Sequence, residues 1–227
     1  MGKQSGRHPE NPEKEAKLME MDGRLVLTDG TLRLFADFSD MLPRLREENL
    51  RRELLIRAAK RPASKMLTAV DATAGLGEDS LLLAAAGFQV VLYENDPVIA
   101  DLLEDGMRRG LADPSLSGYI RRMVLRREDS IRAMRSLPSS PDLIYLDPMF
   151  PERTKSAKVK KKFQLLQLLE KPCSNGEELL MAAYEASPAR IVVKRPAKGE
   201  YLAGRKPDYS LRGKAVRYDV FVPGNNH

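Results

Sequence analysis

Short apolar runs that end in an acid or a glycine, each followed by a stretch with helical spacing, make up most of the chain. The sharpest change of period falls between Met66 and Ala86. There Met66, Leu67, Ala69 and Val70 lead to Asp71, and the small-residue turn Ala72-Thr73-Ala74-Gly75-Leu76-Gly77 follows. Glu78 and Asp79 then open the helix-forming run 80–86. An apolar run, two glycines and a strong helix former predict strand, tight turn and helix, the first crossover of a doubly wound α/β sheet.

Similar units follow downstream. Residues 88–94 read as a strand ending in Glu94, after which Asn95, the capping Asp96 and Pro97 start another helix. A third strand is predicted at 122–125, with Asp129 and Ser130 at the start of a helix over 131–135. The fourth, 142–146, ends in Asp147-Pro148-Met149-Phe150-Pro151. Beyond it come a helix through Leu165 and Leu169, a helix over 177–186, and a buried strand over 190–193 that ends in Lys194-Arg195-Pro196. A hairpin between Tyr209 and Val222 closes the chain.

Upstream, residues 1–22 read as a mobile tail or as a loosely held helix around 13–19. Leu25-Val26-Leu27 and Leu32-Arg33-Leu34-Phe35 flank the turn Thr28-Asp29-Gly30 as a hairpin. The spacing of Leu45, Leu50, Leu54, Leu55 and Ala58 predicts one helix over 44–60, stopped by Pro62. The predicted fold is therefore α/β, a doubly wound, mostly parallel Rossmann-like sheet. It carries an antiparallel C-terminal hairpin and a small N-terminal hairpin and helix. The tail covers 1–22, the hairpin and helix 23–62, and the main domain 63–227.

The turn also restricts its ligand. A dinucleotide would set its pyrophosphate at the helix N-terminus, where Glu78 and Asp79 would repel it, and the third glycine of G-x-G-x-x-G is absent. A cationic, nucleoside-containing ligand such as S-adenosylmethionine suits the turn better, although first-turn acids also complement the helix dipole. Glu94, at the carboxyl end of the next strand, can accept both hydroxyls of a ribose. Asp129 and Ser130 then fall where an adenine amine would arrive, and Asp129 can equally be a plain helix cap. At the fourth strand, Asp147 and the carbonyl of Pro148 can each accept one N–H of an exocyclic amine. Proline frees that carbonyl by breaking the ladder, and Phe150 can stack on a base taken out of its helix.

Composition adds a partner class. The formal net charge is +6, and between Arg153 and Lys162 lie six cations and no acid. Lys155, Lys158, Lys160 and Lys161 in this run, with Lys194 and Arg195, would rim the same mouth and hold a phosphate backbone. The lone Cys173 excludes a disulfide framework and a cysteine-based zinc site, and fits a reducing cytoplasm. Histidines at positions 8 and 227 alone argue against histidine catalysis, and no metal is expected. No run approaches the roughly 18 apolar residues of a membrane span, and the start lacks the apolar core of a secretory signal.

With these residues in place, the chain resembles a class I S-adenosylmethionine-dependent methyltransferase, and more closely the bacterial small-subunit ribosomal RNA guanine-N2 methyltransferase J family. The resemblance rests on Asp71-Ala-Thr-Ala-Gly-Leu-Gly77 with Asp79, Leu92-Tyr-Glu-Asn95 before a Pro, and Leu146-Asp-Pro-Met-Phe-Pro151. It continues through Lys155-Ser-Ala-Lys-Val-Lys-Lys161 and Val192-Val-Lys-Arg-Pro196. It implies S-adenosylmethionine as cofactor, held by Asp71, Gly75, Gly77, Glu78, Asp79, Glu94, Asn95, Asp129, Ser130 and Asp147. It implies small-subunit rRNA or the assembled subunit as partner, with Asp147, Pro148 and Phe150 at the reaction centre. The rival expectations are methyl transfer to another amine (adenine N6 or a protein side chain), and a non-catalytic RNA-binding module of the same fold.

Overall fold

The computed structural model describes residues 16–60, 66–148 and 175–224. The organising strand forms as expected: β4 (Thr68–Asp71) runs into the glycine turn and α4 (Glu78–Ala85). It is followed by β5 (Gln89–Tyr93), α5 (Pro97–Ala112), α6 (Ser117–Ile120), β6 (Met123–Arg126), α7 (Ser130–Met134) and β7 (Leu143–Leu146). After the undescribed segment come α8 (Gly176–Glu185), β8 (Ile191–Pro196), β9 (Tyr209–Arg212) and β10 (Val216–Phe221). The helix starts follow local chemistry. Asp96 accepts from the amides of Val98 and Ile99 ahead of α5, and Asp129 accepts from the amide of Arg132 ahead of α7.

Seven of these strands form one sheet in the order β6-β5-β4-β7-β8-β10-β9. β6, β5, β4, β7 and β8 are mutually parallel, while β10 lies antiparallel between β8 and β9. The chain reverses its direction of travel across the sheet between β4 and β7, the switch point at which open α/β sheets place their ligands. Alternation along the strands divides the core. Ala69, Val90, Leu143, Tyr145 and Val192 face the layer holding α4, whereas Val70, Ile144, Ile191 and Val193 face α7 and α8.

The N-terminal region departs from expectation in three ways. Residues 17–21, assigned to the tail and partly to a helix, form β1 (Lys17–Met21), which pairs antiparallel with β2 (Arg24–Thr28). The signal overlooked is Asp22-Gly23: both residues have positive φ, +51° and +71°, the geometry of a tight hairpin turn. The expected second strand of the downstream hairpin shrinks to β3 (Arg33–Leu34), the third strand of this small sheet. The single helix expected over 44–60 is three short ones, α1 (Leu42–Leu45), α2 (Glu47–Leu50) and α3 (Leu54–Ala59). The breaks fall at Arg46 and Glu53, which have extended ψ values of 136° and 127°. Arg44 folds back across them to grip both oxygens of Glu53 at 2.7 and 2.9 Å.

Leu45, Leu50, Leu55 and Ala58 join α4 and the sheet in one core, and Leu27 and Leu34 pack on Ile99 and Leu102 of α5. At Gly106 of α5 a Cβ would lie 2.5 Å from the Cβ of Ala36, so glycine permits the small sheet's close approach. At the other end of the sheet, Arg217 and Asp219 form a buried ion pair at 2.8 Å. Residues 1–15 and the helix expected through Leu165 and Leu169 lie outside the described residues.

Candidate active site

Four strand ends align along one edge of the sheet. They carry Asp129 and Ser130 after β6, Glu94 and Asn95 after β5, the glycine turn after β4, and Asp147 and Pro148 after β7. The glycine turn is tied to both neighbours. Its Gly75 amide donates to Glu94 Oε2 at 3.0 Å, and its Thr73 Oγ1 accepts from the Asp147 amide at 2.7 Å. Gly75 has φ +52°, and a Cβ there would meet nothing within 4 Å, so its backbone faces open space. Gly77 differs: with φ +78°, its added Cβ would lie 2.7 Å from Leu103 Cδ1, so this glycine serves packing.

Asp71 is buried beneath the turn and accepts from Ser80 Oγ at 2.6 Å and from the Thr73 amide at 3.1 Å. Burial outweighs these two donors, and with Asp79 and Asp147 nearby pushes its carboxyl up to about 7. Burial also raises Glu94, against the opposing amides of Asp96 and Gly75. Asn95 is exposed beside it. Asp129 is exposed and caps α7, with Ser130 as the first helical residue. Glu78 opens α4 from a partly buried position.

The register sets the reaction end of the site. Leu146 pairs with Val193 in parallel, which brings the following residues, Asp147 and Lys194, side by side. Tyr218 of β10 is the antiparallel partner of Lys194 on its other flank. Lys194 Nζ bridges Asp147 Oδ2 at 2.9 Å and Asp79 Oδ2 at 2.8 Å, and the Tyr145 hydroxyl donates to the same Asp79 oxygen at 2.6 Å. Burial would lower the Lys194 ammonium, but Asp79 and Asp147 together outweigh it and hold it well above the usual lysine range. For Asp147 burial dominates and raises the carboxyl, with Lys194 pulling down and Asp79 pushing up. Burial, then Asp79, keeps Tyr145 and Tyr218 protonated.

Two of the residues expected to hold phosphates have partners within the fold. The sequence puts Lys194 and Arg195 at the basic end of a strand, whereas β8 runs on to Pro196 and pairs with β10 throughout. Alternation turns Lys194 into the acid cluster. Arg195 is 6% exposed, and its Nε donates to the Glu200 carbonyl at 2.7 Å. Arg195 is thus turned away from solvent, while Lys194, 26% exposed, is engaged by the two carboxylates. Phe150, Lys155, Lys158, Lys160 and Lys161 lie outside the described residues. Tyr145, Tyr218 and Thr73 were overlooked. Tyr145 was legible, because it sits two residues before Asp147 in an otherwise aliphatic strand, on the same face. The pairing of Tyr218 with Lys194 depends on long-range register and left no local signal.

A ligand carrying a ribose, an amine and positive charge fits this edge. It offers an open glycine backbone at Gly75 and carboxylates at Glu94, Asp129 and Asp147, groups that accept hydrogen bonds and attract cations. Among the described residues no cluster of His, Cys, Asp and Glu could hold a metal ion, and no helix is long and apolar enough to cross a membrane. A parallel sheet with a glycine turn after β4, an acid after β5 and an Asp-Pro after β7 defines a class I S-adenosylmethionine-dependent methyltransferase.

The comparison with known proteins narrows the class. The family model described as "Putative SAM-dependent methyltransferase" matches residues 6–223, and the chain belongs to that family, in its ribosomal RNA small subunit methyltransferase J branch. Ribosomal RNA small subunit methyltransferase J of Nitrosococcus oceani is 42% identical over 193 residues, 83% of this chain and 76% of the relative. The protein of that name from Thioalkalivibrio sulfidiphilus is 45% identical over 183 residues, 79% and 69% of the two chains. Among solved structures, a SAM-dependent methyltransferase from Neisseria gonorrhoeae superposes with a TM-score of 0.77 at 31% identity, covering 97% of this chain and 88% of that one.

Proposed function

We propose that this enzyme transfers a methyl group from S-adenosylmethionine to the exocyclic N2 amine of a guanine in small-subunit ribosomal RNA, free or assembled, in the cytoplasm. The observation that carries the reading is the bond from the Asp147 amide to Thr73 Oγ1. It joins the strand end suited to accepting an amine directly to the turn suited to the cofactor. The names of the relatives supply the RNA class.

When bound, S-adenosylmethionine supplies an electrophilic sulfonium methyl. Gly75, Glu94, Asn95, Asp129 and Ser130 would hold it. The guanine amine is a poor nucleophile because its lone pair is delocalised into the ring. Asp147 and the Pro148 carbonyl each accept one of its N–H groups, which favours a pyramidal nitrogen with the lone pair aimed at the methyl. Such positioning can supply on the order of 7–11 kcal/mol. Asp147 would then stabilise the positive charge that develops on nitrogen, and the methylated nitrogen would lose one proton to solvent water to give the neutral product. Phe150 stacks on the extruded base, and Lys155, Lys158, Lys160 and Lys161 hold the backbone around it.

The test is methylation of small-subunit rRNA lacking the modification, followed by digestion and mass spectrometry of the nucleosides. N2-methylguanosine is expected. N6-methyladenosine, or label in protein, would replace the target. Absence of both product and thermal stabilisation by saturating cofactor would favour the non-catalytic module.

A further inference from the structure

The site contains a lysine that neither the cofactor edge nor the target amine calls for. Lys194 lies between two carboxylates from different elements, Asp147 at the end of β7 and Asp79 in the first turn of α4. The three side chains are unequally open: Asp79 is 16% exposed, Lys194 26% and Asp147 38%. Only Oδ2 of Asp147 is engaged by Lys194; Oδ1 receives no hydrogen bond from the described residues. With both acids ionised, the cluster keeps one net negative charge, and its most solvent-exposed carboxylate is that of Asp147.

We propose that Lys194 is a positioning residue for methyl transfer, bridging Asp147 to Asp79 so that the Asp147 carboxylate stays ionised and presents Oδ1 to the target amine. Asp79 acts through it: held by Tyr145 and Lys194, it anchors the ammonium to α4 and so links the cofactor turn to the amine acceptor. The inference rests on the reading of Asp147 given above and goes beyond it by giving Lys194 a task that RNA contact does not describe.

The electrostatics agree with the geometry. The charged and titratable groups that act on Asp147 are Lys194 and, more weakly, Arg195 of β8, and Asp79 of α4; Asp147 in turn acts on Tyr145 of its own strand, Tyr218 of β10 and Asp71 of β4, and Arg44 of α1 acts with Asp79 and Tyr218. Lys194 is the strongest of these in lowering the Asp147 carboxyl, against burial and Asp79. Without it, Asp147 takes up a proton at higher pH, and a protonated carboxyl accepts the amine poorly.

The experiment is the pH dependence of single-turnover methyl transfer to unmethylated small-subunit rRNA, with cofactor binding measured alongside, in Lys194→Met, Lys194→Arg and Asp147→Asn. Lys194→Met should move the acid limb of the profile to higher pH by about one unit or more. On the acid side of the limb it should lose about tenfold in rate for each unit of displacement and recover as pH rises. Lys194→Arg should restore most of the wild-type profile. Should Lys194→Met fail to fold, Asp79→Asn combined with Lys194→Met removes the repulsion between the acids; because Lys194 acts on Asp147 more strongly than Asp79 does, the displacement should stay alkaline but be smaller. A loss equal at every pH, or an unchanged profile while Asp147→Asn is inactive, overturns the role of Lys194 alone. Near-normal turnover by Asp147→Asn overturns the reading of Asp147 and this inference with it.

Discussion

The amide of Gly75 donates to Glu94 Oε2 at 3.0 Å, so the open end of the glycine turn is held by the acid at the tip of the adjacent strand. The other oxygen, Oε1, accepts from the amide of Asp96 at 2.9 Å and fixes the entry to α5. One buried carboxylate thus sets two loops, which means that its removal acts on the ligand through the backbone as well as directly.

Glu94→Gln keeps the shape of the side chain but leaves one of these amides facing an NH2 group. Hydrogen bonds to charged groups contribute about 1.5–3 kcal/mol, so cofactor affinity should fall about 10- to 100-fold in calorimetric titration. Unchanged affinity with a lower melting temperature would reduce Glu94 to a loop strut.

Asp71 predicts a pH dependence of stability. Its carboxyl is raised to about 7 in the fold by burial, from an unfolded value near 4. The native state therefore binds the extra proton between these values, and stability falls as pH rises from about 4 to about 7. Asp71→Asn can still accept from the Thr73 amide and donate to Ser80 Oγ. It should fold, and its denaturation midpoint should decline less steeply over that window than that of the wild type, the remainder coming from Glu94 and Asp147. A parallel decline in the variant would move the effect to another group.

The course of the main sheet was legible because β4, β5 and β7 are short, apolar and closed by an acid or an Asp-Pro. That local signal needs no knowledge of neighbours, and it placed Asp71, Glu94 and Asp147 on one edge. What it could not convey was register. Lys194 and Arg195 read as a basic strand end, and only the pairing of β8 with β10 through Val216–Pro196 shows that both lie inside the sheet. The break in the 44–60 helix was hidden for a similar reason, because the Arg44–Glu53 ion pair that bridges it is a tertiary contact. The β1–β2 hairpin was missed although Asp22-Gly23 announces it; the charged residues before it suggested a tail.

The two glycines of the turn should respond differently to a methyl group. Both have positive φ, which costs an alanine about 1 kcal/mol. At Gly77 the new Cβ also meets Leu103 and Phe38, at 2.7 and 3.4 Å, and overpacking adds about 1–3 kcal/mol. Gly77→Ala should therefore lower the melting temperature clearly. Gly75→Ala, whose Cβ enters open space, should melt close to the wild type while losing cofactor affinity. The reverse order would place the ligand against Gly77.

The lysines proposed to contact RNA and the buried Arg195 should behave differently in binding assays. Each lysine that neutralises a phosphate contributes about 0.7–0.9 to the slope of log affinity against log salt. Replacing Lys155, Lys158, Lys160 and Lys161 together by Gln should flatten that slope by about 3 for small-subunit rRNA. Arg195 makes the opposite case, since its guanidinium is buried and its Nε donates to Glu200. Arg195→Gln should cost stability, about 1–3 kcal/mol in denaturant melts, and leave the salt slope of the folded protein as it was. A slope that changes on Arg195→Gln but not in the lysine variant would mean that RNA reaches the β8–β10 edge, and that the segment after Pro148 is not the surface it lies against.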